Sequence, residues 1–336
     1  MQYSDYPPFV VEDIVRLRRR IATSGLPPKT LDHNLIVGTW NLRAFGKVFP
    51  QWTENAGSPK RNLRAMACIA EVVQHYDVIA IQEVKRETEG IRQLVNKFLG
   101  NDWGLILSDV TVGDAGNTER FAFVFDKRRV TPSGLAGEIV LPSGPAGSPV
   151  EQFDRTPYIV GFQAADESFT LLTVHIRFGD FPEERIPELQ ALASFSAKEI
   201  RDRARSGGEE RNLIALGDFN IDLRSDNPLF QAFISSGLVV PPGLTGLRTT
   251  FGTQPKFYDQ IAWFMGDLAL KASGKSGVID YSDAVFTEMT RTAMSFRMSD
   301  HLPLWTEFII DRSWEQMAEV LGIDPAMPDP FDSVPD

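Results

Sequence analysis

Cysteine is almost absent from this sequence of 336 residues, which contains only Cys68. A single cysteine excludes a disulfide framework within the chain, so nothing in the sequence demands an oxidising compartment. Cys68 lies in the segment NLRAMACIAEVVQHY, where apolar residues recur at helical spacing. We therefore expect Cys68 to be a buried helix residue and not a nucleophile.

Long apolar runs are also missing. No stretch approaches the roughly 18 apolar residues of a membrane span. The first twenty residues contain no apolar signal core followed by a small-residue cleavage site. From these two absences we expect a cytoplasmic protein without stable membrane insertion.

Positive charge is scarce. The chain has 34 Lys and Arg residues against 45 Asp and Glu residues, a formal net charge of −11. This balance argues against broad, non-specific binding of nucleic acid through charge alone. It does not exclude a phosphate substrate, because clustered carboxylates can hold a metal ion that reverses the local charge.

Apolar strand patterns and helical patterns alternate irregularly along the chain, and several neighbouring strands have no helix between them. This order predicts mixed sheets with outer helices. We expect residues 1–33 to form an N-terminal extension with an amphipathic piece, residues 34–311 the main domain, and residues 312–336 a C-terminal helix and acidic tail. Residues 131–153, rich in Gly, Pro and Ser, are expected to be irregular. The predicted helices cover residues 59–75, 87–98, 183–204, 227–236 and 313–321.

Polar side chains follow apolar strands at several points. In GDFN, Asp218 and Asn220 project to one side of an extended chain, so the pair can face a cation and a phosphate oxygen, or simply form an Asx turn. Glu83 is either a Mg²⁺ ligand or a solvent-facing strand end. Histidines at these spacings suit acid–base work better than zinc binding. The full set of strand-end residues is Asn41, Glu83, His175, Asp218, Asn220, Asp259, Asp300 and His301.

With these residues in view, the chain resembles the endonuclease/exonuclease/phosphatase superfamily over roughly residues 35–310. The motifs WNLR, IQEV, TVHI, GDFN, YDQI and SDH occur in the family's order. The segments NLRAFG, IQEVKR, TERFAFVF and FDRTPYIVGF are most similar to the pancreatic-type deoxyribonuclease branch. The resemblance implies an α/β (α+β) four-layer sandwich, with two packed mixed β-sheets flanked by helices.

The resemblance also implies roles for individual residues. Glu83 would be the main Mg²⁺ ligand, with Asn41 beside the metal or the phosphate, and Mn²⁺ or Ca²⁺ would substitute or assist. Asp218 and Asn220 would orient the attacking water and a phosphate oxygen. The remaining implied roles are general acid/base for His301, held by Asp259, and for His175, held by Glu119; a metal-side or His-orienting carboxylate for Asp300; and phosphate contacts for Arg155, Arg43 and Arg177.

The implied activity is Mg²⁺-dependent hydrolysis of phosphodiesters, and the leading hypothesis is an endonuclease that cleaves DNA or RNA. The alternative is a phosphatase or sphingomyelinase-like phosphodiesterase that acts on a small or lipid phosphoester. The sequence departs from the secreted nucleases of the family, because it has neither their disulfides nor a secretion signal. For Arg43 and Arg177, a solvated surface charge is an equally good interpretation.

Overall fold

The computed structural model describes residues 2–111, 118–143, 148, 150–206, 212–224, 227–251, 254 and 256–324. Its helices are α1 (Pro8–Ala22), α2 (Leu63–Val73), α3 (Glu89–Gln93), α4 (Ile186–Ser206), α5 (Pro228–Ile234), α6 (Arg291–Ser295) and α7 (Ser313–Leu321). Its strands are β1 (Asn34–Phe45), β2 (Val78–Lys85), β3 (Trp103–Leu107), β4 (Glu119–Asp126), β5 (Thr131–Glu138), β6 (Tyr158–Ala164), β7 (Glu167–His175), β8 (Leu213–Asp218), β9 (Leu238–Val239), β10 (Asp259–Phe264), β11 (Lys271–Val278) and β12 (Leu304–Ile309).

The strands of the described residues form two six-stranded sheets. The first sheet has the order β11-β12-β1-β2-β4-β3 and the second β5-β6-β7-β8-β10-β9. In each sheet one central pair is parallel, β1 with β2 and β7 with β8, and the other pairs are antiparallel. The two sheets are therefore mixed, as the sequence predicts.

Three apolar cores hold the layers together. The central core lies between the sheets and includes Val37 of β1, Phe123 of β4 and Leu171 of β7. A second core joins the outer face of the first sheet to α1, α2 and α3, and a third joins the second sheet to α4 and α5. Helices thus flank two packed sheets, which confirms the predicted four-layer sandwich.

Helix α1 is part of the second of these cores. Its residues Val10, Ile14, Leu17 and Ile21 are at most 4% exposed and pack in one cluster with α2. Their spacing gives one apolar stripe along the helix. The amphipathic piece predicted in the N-terminal extension is therefore a helix that packs on the first sheet's outer layer. Cys68, as expected, is a buried residue of α2.

Three strands, β5, β9 and β11, were not expected from the sequence. Strand β5 lies in the segment that was predicted to be irregular, and β11 has the composition KASGKSGV. Both lie at sheet edges and are mostly exposed, so neither carries the apolar alternation of a buried strand. The expectation of irregular structure is wrong for residues 131–138. Helix α7 has the predicted bounds, and residues 325–336 of the predicted tail lie outside the described residues.

Candidate active site

The sheet topology gathers the polar strand ends at one edge. Because β1 and β2 are parallel, as are β7 and β8, the carboxyl ends of these strands lie side by side. The antiparallel neighbours β4 and β10 begin at the same edge, so Glu119 pairs with Lys85, and Asp259 pairs with Asp218. His175 is in turn the partner of Asp218 across the parallel pair. The chain folds so that both sheets contribute to one site.

Each of the two histidines predicted to be catalytic is held by a carboxylate. His301 Nδ1 lies 2.8 Å from Asp259 Oδ2, and His175 Nδ1 lies 3.0 Å from Glu119 Oε2. An ionised carboxylate only accepts hydrogen bonds, so each Nδ1 carries a hydrogen. This arrangement fixes both rings and turns both Nε2 atoms toward the interior of the site.

Both imidazoles face the same carboxylate oxygen. Asp218 Oδ2 lies 3.6 Å from His175 Nε2 and 3.7 Å from His301 Nε2. Burial raises the pKa of Asp218, but the two histidines, an amide of Asn41 and the backbone of Asn220 outweigh burial, and the net shift is downward. Asp218 is therefore an anion at neutral pH although it is 1% exposed.

Burial alone would lower the pKa of His301. The carboxylates of Asp259 and Asp218 outweigh this effect and raise the pKa to about 10. Burial raises the pKa of Asp259, and the imidazole opposes that rise. We place the shared proton on the ring because two carboxylates face it. His301 is therefore a proton donor at neutral pH.

Glu119 lies at the centre of a cluster of cations. Its Oε2 accepts hydrogen bonds from Arg155 Nε at 2.8 Å and lies 3.0 Å from the His175 ring, and its Oε1 accepts from Lys85 at 2.9 Å. Burial raises the pKa of Glu119, but His175, Arg155 and Lys85 together lower it to about 2. The carboxylate stays ionised and orients His175.

Asn41 links the two sheets at the floor of the site. Its Nδ2 donates to Glu83 Oε1 at 2.9 Å and to Asp218 Oδ2 at 3.0 Å, and its Oδ1 accepts from the Arg43 backbone at 2.9 Å. The second oxygen of Glu83 accepts from the backbone of Ala44 at 2.8 Å. In this orientation Asn41 presents nitrogen, and not oxygen, to the two carboxylates.

The donor set at this floor suits a hard divalent cation. Glu83 and Asp218 offer carboxylate oxygens on either side of one amide, and Glu83 is half-buried and so open to solvent. Two groups of three residues each offer potential ligand atoms, and within each group these atoms all lie within 4.8 Å of one another. They are Glu83, Glu119 and His175, and Asp218, Asp259 and His301. Carboxylates with room for water are the usual Mg²⁺ environment. An amide nitrogen does not bind such an ion, so ligation by Asn41 would need its amide reversed.

The backbone is strained where it carries the site. Glu83 has φ of 59° and Asn220 has φ of 50°, in the left-handed region that non-glycine residues seldom adopt. Arg43 and Ala44 also have positive φ. Such residues cost on the order of 1–3 kcal/mol each and concentrate at functional sites. These are four of the nine non-glycine residues with positive φ in the part of the chain that the structure describes, and others, such as Asp32 and Ala165, lie away from the site.

Four residues predicted for the site have side chains that contact other protein groups near it. Arg177 pairs with three carboxylates, at 2.9 Å from Glu151, 2.6 Å from Asp154 and 3.4 Å from Glu188. That guanidinium is neutralised, which favours the surface-charge interpretation over a phosphate contact.

The other three predicted residues are Asp300, Arg43 and Asn220. Asp300 lies 3.2 Å from an Arg43 nitrogen, and Arg43 also donates to Ser295 Oγ at 2.8 Å. Asn220 Nδ2 donates to the carbonyl of Ile176 at 2.7 Å. The described side chain that orients His301 is Asp259 and not Asp300.

Sequence reasoning missed two residues that position His301. Ser299 Oγ donates to the Asn41 carbonyl at 2.5 Å and accepts from the His301 backbone, which ties the loop to β1. Tyr258 tilts over the His301 ring with 6.0 Å between ring centroids. Both residues lie inside or beside the quoted motifs SDH and YDQI, so their position in the sequence was available as a signal.

A sandwich that collects acid–base groups and hard oxygen donors at the shared edge of two sheets has the architecture of a hydrolase. The chain belongs to the Endonuclease/Exonuclease/phosphatase family, whose model matches residues 38–267. This membership confirms the superfamily that the motifs resemble.

Curated relatives and a solved structure agree with this family. A deoxyribonuclease of Thioalkalivibrio sp. (strain K90mix) is 26% identical over 293 residues, 84% of this chain and 73% of that protein. Deoxyribonuclease gamma of Mus musculus is 24% identical over 238 residues, 68% of this chain and 63% of that protein. The structure of the endonuclease/exonuclease/phosphatase from Bacteroides vulgatus has a TM-score of 0.55 at 15% identity, covering 83% and 99% of the two chains. The two relatives confirm the resemblance to the deoxyribonuclease branch, and the structure supports the fold alone.

Helix length and composition bear on membrane insertion. Among the helices of the described ranges, none is both long and apolar enough to cross a bilayer.

Proposed function

We propose that this protein is a nuclease that hydrolyses phosphodiester bonds of nucleic acid with the help of a divalent cation, Mg²⁺ in the first instance. The observation that carries the proposal is the convergence of His175 Nε2 and His301 Nε2 on one oxygen of Asp218. Two oriented imidazoles and one buried carboxylate are the groups needed to activate water and to protonate a leaving alkoxide. The similarity to two deoxyribonucleases supports nucleic acid as the substrate.

The site residues divide the chemistry between them. Asp218 accepts a proton from the attacking water as the water oxygen bonds to phosphorus, and the bond from phosphorus to the leaving oxygen breaks. His301, protonated on Nε2 and held by Asp259, gives its proton to the leaving oxygen. His175, held by Glu119, stabilises the charge that develops on the equatorial phosphate oxygens. Glu83 would hold the divalent cation, which would supply Lewis-acid stabilisation of negative charge on the phosphate.

A basic cavity beside the site favours an extended polyanion over a small phosphoester. The cavity has a volume of about 490 Å³ and shares Arg43, Ala44 and Lys85 with the margin of the site. It also presents Lys47, which is exposed, and Lys60. Arg43 and Lys85 already pair with Asp300 and Glu119, and Glu87 also lines the cavity. The exposed Lys47 is therefore the lining cation that best fits the phosphate of a neighbouring nucleotide. The alternative, a phosphatase or sphingomyelinase-like activity, acts on a single phosphoester and needs no contacts to neighbouring phosphates.

The test is hydrolysis of a matched panel in Mg²⁺, Mn²⁺ or EDTA. The panel contains plasmid DNA, single-stranded DNA, RNA, inositol phosphates, sphingomyelin and bis-p-nitrophenyl phosphate. We expect cleavage of nucleic acid that EDTA abolishes. Cleavage confined to a small or lipid phosphoester would replace the proposal by the alternative.

Two variants connect this activity to the site. His301→Ala removes the proton donor, and we expect turnover to fall by about 10²–10⁴-fold, the usual contribution of an acid–base group. Glu83→Gln keeps the shape of the side chain and removes the charge that would hold the cation, so we expect a higher Mg²⁺ requirement. A loss below about tenfold for His301→Ala would contradict the assigned role.

A further inference from the structure

Two aromatic side chains are exposed on the loop that follows β7, next to the site. Phe178 is 55% exposed and Phe181 is 66% exposed. Isolated exposed apolar residues are common and need no special explanation. Phe178 differs from such residues because its ring contacts two other side chains, Arg185 and Tyr258.

Arg185 fixes Phe178 from beneath. Its guanidinium lies 4.5 Å from the centroid of the Phe178 ring, and its Nε donates to the Phe178 carbonyl at 2.6 Å. Arg185 is 3% exposed and is anchored by the Asn220 carbonyl at 2.7 Å and by Asp222 at 2.9 Å. One face of the ring therefore rests on a buried, immobilised cation, and the ring remains more than half exposed. A preorganised surface of this kind binds a ligand at low entropic cost.

A chain of ring contacts leads from Phe178 to the proton donor. Phe178 meets Tyr258 edge-on with 6.2 Å between centroids, and Tyr258 tilts over His301 with 6.0 Å between centroids. The exposed ring thus lies two aromatic contacts from the imidazole that would protonate the leaving group. A ring at this distance from His301 suits contact with a part of the substrate next to the scissile phosphate.

Charge on the two flanks of the site decides which part of a nucleotide each flank accepts. The loop around Phe178 carries exposed carboxylates, Asp180, Glu183 and Glu184, which repel phosphate. The flank built on the first sheet carries the basic cavity with Lys47. A nucleic acid strand has the same two-sided character, with phosphates along one side and bases along the other.

We propose that Phe178 is a stacking platform for an unpaired nucleobase adjoining the scissile phosphate, so that the enzyme acts on single-stranded segments. The proposal rests on the proposed nuclease function and specifies its substrate. A base in a duplex is already stacked and paired, and it would have to leave the helix to reach the ring. A single strand presents its bases without that cost, and aromatic stacking accepts any base.

The test removes the ring and the base separately and together. The substrate is a single-stranded oligonucleotide with one cleavable phosphodiester flanked by phosphorothioates, made with and without abasic residues on either side of that phosphodiester. For wild type and Phe178→Ala, kcat/KM is measured on both strands. Alanine substitution of a base-stacking ring typically lowers affinity by roughly 5- to 150-fold.

We expect a loss in that range on the strand that has bases, and a loss below about twofold on the abasic strand, because the ring then has no base to contact. Equal losses on the two strands would show that Phe178 acts on the fold or on the site, and would overturn the proposal. An equal loss on a matched duplex would overturn it as well.

Three further variants distinguish aromatic stacking from the mere apolar volume of the side chain. Phe178→Trp keeps an aromatic face and should retain the wild-type rate on the strand with bases. Phe178→Leu keeps apolar volume without that face and should behave like Phe178→Ala. Phe181→Ala removes a ring that is more exposed but lies outside the chain of ring contacts in the described residues, so a loss as large as that of Phe178→Ala would contradict the platform.

Failure of the nuclease proposal has a different signature. The wild-type protein would then cleave no strand in any metal. In that case fluorescence anisotropy of the same two labelled strands with metal-free protein measures the platform alone. Tighter binding of the strand with bases, lost in Phe178→Ala, would still support stacking, and equal binding of both strands would exclude it.

Discussion

The pair of His301 and Asp259 shows how single residues of this site depend on one another. The imidazole is buried, which disfavours its charged form, yet two carboxylates at 2.8 and 3.7 Å outweigh that effect. A protonated ring next to Asp218 in turn keeps that carboxylate ionised. Donor and acceptor are therefore both in the form that catalysis needs at neutral pH, and each maintains the other.

The first prediction concerns this pair in metal-free protein. The pKa of His301 is about 10 in the folded protein, against 6.5 for an unperturbed histidine. Because the folded value is the higher one, its contribution to stability is fully present below pH 6.5 and is lost as pH rises through about 10. Asp259→Asn removes a carboxylate that sustains the shift, so the variant should lose less stability than wild type over this range.

Urea unfolding in EDTA at pH 6 and pH 9.5 measures this difference, and comparing the variant with wild type cancels other titrating groups. NMR titration of the His301 ring gives an independent readout. A midpoint that stays the same in Asp259→Asn would show that Asp259 does not set the proton affinity of the ring.

At the scale of elements, the sequence predicted those strands and helices that bury an apolar face. The strands that carry Glu83 and Asp218 were recognised because the apolar runs VIAIQ and LIALG precede these carboxylates. Strands β5 and β11 were not recognised, because an edge strand pairs on one side and exposes most of its side chains. Pairing with a neighbour, which sequence patterning does not report, determines these two strands.

The same limit applies to the site. Motif order was sufficient to select the two histidines and their carboxylates, because their types and positions at strand ends carry the signal. It was not sufficient to show how cations are distributed. Arg177 and Arg43 flank the motifs equally well in sequence, yet Arg177 pairs with three carboxylates, whereas Arg43 pairs with Asp300 and borders the basic cavity. Those partners come from distant segments that only the fold brings together.

The second prediction tests whether α1 belongs to the folded unit. Ile14 is 2% exposed within the core between α1 and α2, and its neighbour Val15 is 42% exposed on the same helix. Ile14→Ala should lower the free energy of unfolding by about 2–5 kcal/mol, because it opens a cavity in that core. Val15→Ala should change it by less than about 0.5 kcal/mol, as is usual at the surface.

Chemical unfolding of both variants checks this prediction, and their adjacent positions match them for changes in helix propensity. If the two substitutions lower the free energy of unfolding equally, the packing of α1 contributes nothing to stability. The N-terminal extension would then be separable from the rest of the fold.

At the scale of the whole molecule, the net charge of −11 opposes association with a polyanion, so binding depends on a few local cations. The basic cavity beside the site provides them, and Lys47 is its exposed member. If two to four phosphates are neutralised there, the logarithm of the affinity for single-stranded DNA should fall against the logarithm of salt concentration with a slope of roughly −1.5 to −3, at about −0.7 for each contact.

The third prediction follows from this count. Lys47→Gln should make the slope shallower by about 0.7, the value of one lost phosphate contact. The matched control is Lys271→Gln, at the start of β11, where the side chain is 64% exposed and β11 pairs with the far end of β12. Anisotropy titrations over a range of NaCl concentrations give both slopes. If the basic cavity binds the strand, only the loss of Lys47 should change the salt dependence. An equal change of slope in the two variants would therefore mean that binding depends on the total charge of the protein and not on this cavity.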